Sequence, residues 1–246
     1  TNVPLASWNE NWVPRTVVRF ELGMRVDVLE AKRSARIMVD TAGRKRESAG
    51  LVLEQQRNAV GFYGYNSGNN LTYGFLNDPN LPAYKNVAAT GTGSSTLWTT
   101  KNFQQITQDL ITAFAQLQLQ SQDTINPEVT ATTLALATAD YQYLSVTTDF
   151  GLSVREWLRQ TYPKCRVVSA PQLNAANGGS NVFYLFADSV TDLSSDDGKT
   201  FAQLVPAKFQ VLGVQQMTKG YEEDYSNATA GTLCKRPFAV VRYSGI

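Results

Sequence analysis

Residues 41–64 constrain the fold more than any other stretch, because they have the pattern of one long helix. Five residues fall at the three- to four-residue spacing of a helix: Leu51, Val52, Gln55, Ala59 and Phe62. Gly64 stands where a helix is expected to stop. Each internal glycine costs a helix up to about 1 kcal/mol relative to alanine. Neighbouring backbone or a bend must therefore compensate if the helix is continuous.

The other predicted elements alternate irregularly between strands and helices. Residues 16–22 alternate as in a half-buried strand, residues 27–39 have helical spacing, and a turn-rich span covers residues 65–100. An amphipathic helix begins near Phe103, and Ser153-Val-Arg-Glu156 is a capping box. Further strand-like segments are 134–137, 166–168, 182–186, 209–214 and 238–243. This order is neither a βαβα series nor an all-β ladder, so it predicts the α+β class.

Composition excludes several kinds of protein. The 246 residues could bury one large core or two smaller ones, and no apolar run approaches the roughly 18 residues of a membrane span. A net charge of +1 argues against coating nucleic acid by bulk electrostatics. The absence of histidine removes the commonest general base and metal ligand. Cys165 and Cys234 form no Cys-x-x-Cys pattern, and two reduced thiols are favoured over a disulfide.

Two acidic clusters could still carry chemistry. Asp192, Asp196 and Asp197 precede a glycine, but their spacing is that of a turn and not of a calcium-binding loop. Glu222, Glu223 and Asp224 could supply paired carboxylates for glycoside hydrolysis, although adjacent acids between glycines are more typical of a solvated loop. We therefore predict no catalytic, cofactor-binding or metal-binding residues.

The long helix is followed by Gly74-Phe-Leu-Asn-Asp-Pro-Asn-Leu-Pro82. A long helix that closes on an aromatic residue and a glycine, then a Gly-Leu-Leu-Asn-x-Pro-Asn-x-Pro-like turn, resembles the tailed-bacteriophage major capsid proteins with the Hong Kong 97-like fold. The resemblance extends over about residues 16–246 and is best in residues 16–82. It implies a protein that tiles the icosahedral head shell around a double-stranded DNA genome, and no enzyme activity.

The resemblance also implies a domain arrangement. Residues 1–24 would be a remnant of the extended loop with its descending strand, and residues 25–102 the peripheral domain with its spine helix. Residues 103–205 would form the axial domain, and residues 206–246 would return to the peripheral domain. A complete family member is expected to carry an N-terminal arm and the ascending half of the extended loop before Thr1.

The partners implied are further copies of the chain, arranged as hexamers and pentamers in a closed shell. Packaged double-stranded DNA would lie on the inner face, with decoration, scaffold and portal proteins as additional partners, no membrane and no cofactor. The virion would be the location, after assembly in the cytoplasm of the host bacterium. Two alternatives stay open: an encapsulin-like nanocompartment shell, and a carbohydrate-active enzyme that uses the carboxylates near Glu222.

Candidate contacts between subunits come from charge and from tryptophan. Within fifteen residues, opposed only by Asp40, lie six cations: Lys32, Arg33, Arg36, Arg44, Lys45 and Arg46. They could pair with acidic patches of neighbouring subunits, contact packaged DNA, or form a solvated face beside the local acids Asp27, Glu30, Glu47 and Glu54. Trp8 and Trp12 lie in a segment with no core of its own, so we expect them to be buried against a neighbouring subunit.

Overall fold

The computed structural model describes residues 12–191 and 196–246, and the chain divides into two compact units. Unit 1 comprises Thr1–Phe75 and Gln203–Thr232, and unit 2 comprises Leu76–Ala202 and Leu233–Ile246. The helices are α1 (Val28–Arg36), α2 (Thr41–Tyr63), α3 (Phe103–Gln120) and α4 (Val154–Thr161). The strands are β1 (Val18–Asp27), β2 (Lys85–Asn86), β3 (Thr132–Ala137), β4 (Cys165–Ala170), β5 (Val182–Ala187), β6 (Phe201–Gln203), β7 (Ala207–Met217), β8 (Gly220–Thr229), β9 (Thr232–Cys234) and β10 (Val240–Ser244).

Unit 1 is built from an antiparallel sheet, in the order β1-β8-β7, with helix α2 packed against β1 and β8. Alternation along β1 turns Met24 and Val26 toward Leu53 of α2, and Tyr225 of β8 completes this small core. The side-chain amide of Asn227 donates to the Leu53 carbonyl at 2.8 Å. The long helix is therefore held by both apolar packing and a hydrogen bond from the sheet.

Two glycines that follow α2, Gly64 and Gly74, are required by the backbone geometry at the end of the helix. Gly64 ends the helix with a φ of 71°, a conformation that favours glycine, as the sequence predicts. The following turn then comes back to the helix, where the amide of Phe75 donates to the Gly61 carbonyl at 2.8 Å. A Cβ on Gly74 would lie 2.4 Å from the Phe62 carbonyl oxygen, so only glycine allows this approach. The Gly74 turn and the helix end thus form one packed feature.

Unit 2 contains a mixed sheet in the order β2-β10-β5-β3-β4, in which β3 pairs in parallel with β4 and antiparallel with β5. Its main core includes apolar residues of α3 and α4 and of the central strands, among them Ile106, Leu110, Phe114, Leu134, Leu158 and Leu185. The complete capping box lies at the start of α3, between Asn102 and Gln105. At the start of α4 the Ser153 hydroxyl accepts from the Glu156 amide at 3.2 Å. That bond is the Ser153 half of the capping box predicted there.

The turn-rich connection before α3 is fastened by a buried ion pair. Asp109 accepts from the Lys101 ammonium at 2.6 Å and from the Trp98 indole at 3.0 Å, and all three residues are buried. Lys101 also donates to the Ala88 carbonyl at 2.7 Å. Burial raises the pKa of the Asp109 carboxyl more than these partners lower it. The same connection contains the short strand β2, and its Trp98 is part of the unit 2 core.

The two units divide the chain differently from the predicted domains. The predicted return segment, residues 206–246, is split, because β7 and β8 belong to unit 1 whereas β10 pairs with β5 in unit 2. Residues 76–102 also group with unit 2. Identifying unit 1 with the peripheral domain and unit 2 with the axial domain stays a prediction.

Candidate inter-subunit surface

Helix α1 presents an exposed face that is both apolar and basic. None of its residues is buried, and Leu29 is 68% exposed. Ile37 and Met38, which follow the helix, are 70% and 96% exposed. Arg33 and Arg36 lie in the last turn, where cations favour the helix dipole, and these two side chains and Lys32 are exposed. A helix with this composition and no buried residue is suited to contact with another molecule.

A groove of about 820 Å³ runs beside α1 within unit 1. Apolar side chains of Val28, Leu29 and Ile37 line it together with the cations Arg25, Arg33 and Lys219. Sequence reasoning missed Lys219, which lies in the short turn between β7 and β8 and is placed here because the Val28 amide donates to its carbonyl at 2.9 Å. Two acids, Asp27 and Glu30, also line the groove, so its lining is apolar and of mixed charge.

The predicted cations on α2 are used inside the subunit. Lys45 donates to the Glu30 carboxylate at 2.7 Å and to the Arg25 carbonyl at 2.8 Å. Arg46 donates to the Glu223 carboxylate at 2.7 Å and to the Tyr225 hydroxyl at 3.3 Å. The bond to Glu223 raises the pKa of the Arg46 guanidinium. Lys45 and Arg46 therefore help to fasten the helix to its own chain.

The other four predicted cations are differently placed. Within residues 12–191 and 196–246, Lys32, Arg33, Arg36 and Arg44 form no ion pair. Three of the four acids proposed as local partners are engaged elsewhere: Asp27 pairs with Arg25, Glu30 with Lys45, and Glu54 with Arg57, whereas the exposed Glu47 forms no ion pair within the described residues. Asp40 accepts from the Gly43 amide and caps α2. These four cations are the ones available to a partner.

The predicted tryptophan contacts are described only in part. Trp12 is 81% exposed, so its own chain does not bury it. Trp8 lies outside the described residues. Whether either tryptophan contacts a neighbouring subunit stays a prediction.

The acids near Glu222 do not form the solvated loop expected from the sequence, because they belong to strand β8. Glu223 is buried and binds Arg46, whereas Glu222 lies across from Arg25, 3.9 Å from its guanidinium. Successive residues of a strand point to opposite faces, so adjacent acids here do not converge on one substrate. All three acids are therefore parts of the sheet, and Glu222 and Glu223 also belong to its ion pairs.

The second acidic cluster is neutralised by cations of unit 2. Asp197 accepts from Lys235 at 2.5 Å, Asp196 pairs with Lys235 at 3.2 Å and with Arg236, and Asp192 lies outside the described residues. Among the residues that the structure places, no group of His, Cys, Asp and Glu could hold a metal ion. Cys165 and Cys234 are free thiols. In the same part of the chain, no helix is long and apolar enough to cross a membrane.

Among the strands of the described residues, β7 is an edge of the unit 1 sheet and pairs only with β8. Its interior positions are exposed, among them Val211 at 51%, Leu212 at 46% and Val214 at 54%. Its pairing with β8 contains two shifts of register. An exposed apolar edge strand is a template for pairing with another chain, so β7 is a second candidate contact surface.

Comparison with known proteins agrees with this picture of a surface made for assembly. The family model described as Pa193 gp26 major capsid protein matches residues 1–245. No curated protein matches the sequence.

Several solved structures share the fold at low sequence identity. The capsid of Myoviridae phage XM1 is 13% identical with a TM-score of 0.71, covering 94% of this chain and 74% of that one. The capsid of a native GTA particle is 10% identical with a TM-score of 0.57, covering 93% and 72%. A structure from Mycobacterium phage Ogopogo is 10% identical with a TM-score of 0.52, covering 94% and 76%. At such identities the likeness concerns the fold alone.

Proposed function

Because this chain belongs to the Pa193 gp26 major capsid protein family, we propose how its surfaces serve a capsid shell. The α+β, Hong Kong 97-like fold predicted from the sequence is confirmed, as is the shell-forming role. The protein is a structural component of a virion and assembles into a multimeric shell. Neither the encapsulin-like compartment nor the carbohydrate-active enzyme is favoured.

The proposed assembly is a closed icosahedral shell of hexamers and pentamers. Such rings need contacts between two different surfaces of identical subunits, related by a rotation that closes. The single observation that carries this proposal is α1, which buries none of its residues yet combines exposed Leu29 with the exposed cations Lys32, Arg33 and Arg36. Together with the open edge of β7, it provides the kind of surface that only a neighbour would cover.

The four cations that form no ion pair within the described residues would contact acidic groups of adjacent subunits. In support, the exposed apolar residues of α1 lie on the same short helix, and apolar surface is better matched by protein than by a phosphate backbone. Packaged double-stranded DNA would lie on the inner face of the shell. Decoration, scaffold and portal proteins would be further partners.

The N-terminal segment would lie across a neighbouring subunit. Trp12 supports this proposal, because a tryptophan that is 81% exposed is costly to leave in water. Trp8→Ala and Trp12→Ala are expected to weaken cohesion between subunits while the isolated subunit stays folded. We further propose that the protein has no catalytic activity and assembles in the cytoplasm of the host bacterium.

Electron microscopy tests the central proposal. The complete gene product, in salt that favours packaging, is expected to give closed particles by negative stain and to elute far ahead of a single chain in gel filtration. Image classification should resolve rings of five and of six subunits. A single monodisperse species with the mass of one subunit, which is 27.1 kDa for this chain, would contradict the proposed shell. Open sheets without five-fold vertices would contradict it as well.

A further inference from the structure

A turn in unit 2 presents a phenylalanine almost entirely to solvent. Phe150 is 98% exposed, in residues 147–153 between a short 3-10 helix, Tyr141–Ser145, and helix α4. The preceding residue, Asp149, is also exposed and forms no ion pair with any residue that the structure describes. The turn therefore displays a large apolar ring next to a carboxylate that has no counter-charge.

Hydrogen bonds hold this turn in shape. The Gly151 amide donates to the Thr148 carbonyl at 3.0 Å, which makes Asp149 and Phe150 the two central residues of a β-turn. The Thr148 amide donates to the Leu152 carbonyl at 2.9 Å, and Gly151 has a φ of 83° that suits glycine. The exposure of Phe150 thus belongs to an ordered turn, which lowers the entropy lost when a partner binds it.

The segment that leads into the turn begins at one end of the unit 2 sheet. Strand β3 ends at Ala137, whose carbonyl accepts from the Asp140 amide at 3.0 Å, and the Asp140 carboxylate accepts from Asn181 at 2.7 Å just before β5 begins. The opposite end of β5 contacts Thr200, close to where the chain leaves unit 2. The segment that leads into the turn therefore begins at the end of β5 opposite to Thr200.

The same end carries a complementary pair of side chains. The guanidinium of Arg155, in the first turn of α4, lies over the ring of Tyr141 at 4.8 Å from its centroid. Arg155 has no carboxylate partner among the described residues, although the exposed acid Glu156 and the exposed cation Arg159 lie on the same helix. An aromatic ring under a cation offers both an apolar surface and a positive charge.

We propose that Phe150 and Asp149 of one copy dock on Tyr141 and Arg155 of the next copy around a rotation axis. The phenyl ring would pack on the tyrosine, and the carboxylate would pair with the guanidinium. Every copy carries both halves, so each copy would offer its turn to one neighbour and its Tyr141–Arg155 pair to the other, as a contact that closes by rotation requires. This inference rests on the proposed function and names the partner of this turn as a second copy of the chain.

Disulfide cross-linking tests the contact. The variant with Phe150→Cys and Tyr141→Cys is assembled, oxidised mildly and run on a denaturing gel without reductant. We expect a ladder of linked chains that ends at five and six. The control pairs Phe150→Cys with Leu119→Cys, an exposed position on α3, and should stay monomeric. Background from the native thiols is low because Cys234 is buried, Cys165 is half-buried, and burial raises the pKa of both thiols.

Charge exchange gives a second measurement if that variant does not assemble. Asp149→Arg and Arg155→Asp should each lower the yield of particles by about tenfold, because like charges then face each other, and the double variant should restore most of it. Circular dichroism shows whether each variant is folded.

The outcomes separate failure of the proposed contact from failure of the proposed function. Particles without cross-links, cross-links that stop at two chains, or folded single variants that assemble normally would overturn this contact alone. A wild-type protein that forms no particles would overturn both the contact and the proposed function.

Discussion

Arg46 of α2 reaches across to Glu223 of β8, 177 residues away in sequence, and donates to its carboxylate at 2.7 Å. The glutamate is buried, with its side chain 6% exposed, whereas the arginine is half exposed at 51%. This pair is one of the links that join the long helix to its sheet. It also assigns one of the six predicted surface cations to an ion pair within the subunit.

Removing the arginine should therefore destabilise the subunit itself. Arg46→Ala leaves the Glu223 carboxylate buried without its cation, and such an uncompensated charge is unfavourable. We expect a lower thermal midpoint than for Arg44→Ala, the matched control, whose side chain forms no ion pair within the described residues. Adding Glu223→Gln to Arg46→Ala should recover part of the loss. Equal midpoints for the two alanine variants would contradict the role of this pair.

Charge reversal on α1 should affect assembly and leave folding intact. Arg33→Glu combined with Arg36→Glu removes exposed cations that have no intrachain ion pair in the described part of the chain, so the midpoint of subunit unfolding should change little. Particle yield should fall, because the acidic groups of the neighbour would meet like charges. Sedimentation measures the yield. Particles that form normally but lose packaged DNA would instead support contact of these residues with DNA.

Loss of Lys101 should be among the most damaging single changes in unit 2. Lys101→Met leaves Asp109 buried beside Trp98 without a counter-charge, which costs about 3–5 kcal/mol of unfolding free energy. Urea denaturation followed by circular dichroism measures the change. The double variant Lys101→Met with Asp109→Leu should recover most of the stability, because an apolar pair needs no compensation. If the unfolding free energy of Lys101→Met lies within about 1 kcal/mol of the wild-type value, this prediction is wrong.

The two thiols should behave as inert, protonated groups at neutral pH. Burial raises the pKa of Cys165 to about 11 and that of Cys234 to about 12, from an ordinary value of 9.0. Native protein should therefore resist alkylation, and reductant should leave the thermal midpoint unchanged. A drop of several degrees on reduction would reveal a disulfide.

The same thiols should make stability depend on alkaline pH. Between the unfolded pKa and the raised folded pKa, the folded state retains a proton that the unfolded state has lost, so stability falls as pH rises above about 9. The loss is at most about 1.4 kcal/mol per pH unit for each thiol. Denaturation at several alkaline pH values, compared with a Cys165→Ala variant, measures this contribution. An identical slope in the variant would contradict it.

Local signals were sufficient to predict the long helix and its end. Helical spacing predicted α2, the position of Gly64 its C-terminus, and Ser153 the start of α4. The spacing did not predict the buried face of α2, because Leu51 and Val52 are exposed whereas Leu53 is in the core. These features depend on residues within a few positions of one another. The family resemblance added the fold, because it rests on the turn that packs Gly74 against the end of α2.

Nonlocal pairing explains what could not be predicted. Three consecutive acids suggested a loop at residues 222–224, but β8 is the central strand of its sheet and is bonded on both sides, which overrides local preference. The partner of Glu223 comes from a distant helix, and no local pattern indicates it. Thr148-Asp-Phe-Gly151 carries the turn residues Asp and Gly, yet only the structure reveals that Phe150 is exposed.

The open edge of β7 has a consequence for how this protein must be produced. A strand of 11 residues that carries one charged side chain, Lys208, and several exposed apolar ones will pair with any strand it meets, although its register shifts weaken that tendency. Irregular aggregation then competes with ordered growth, and the balance depends on how fast subunits accumulate. Slow synthesis should favour particles, and rapid overexpression should favour inclusion bodies.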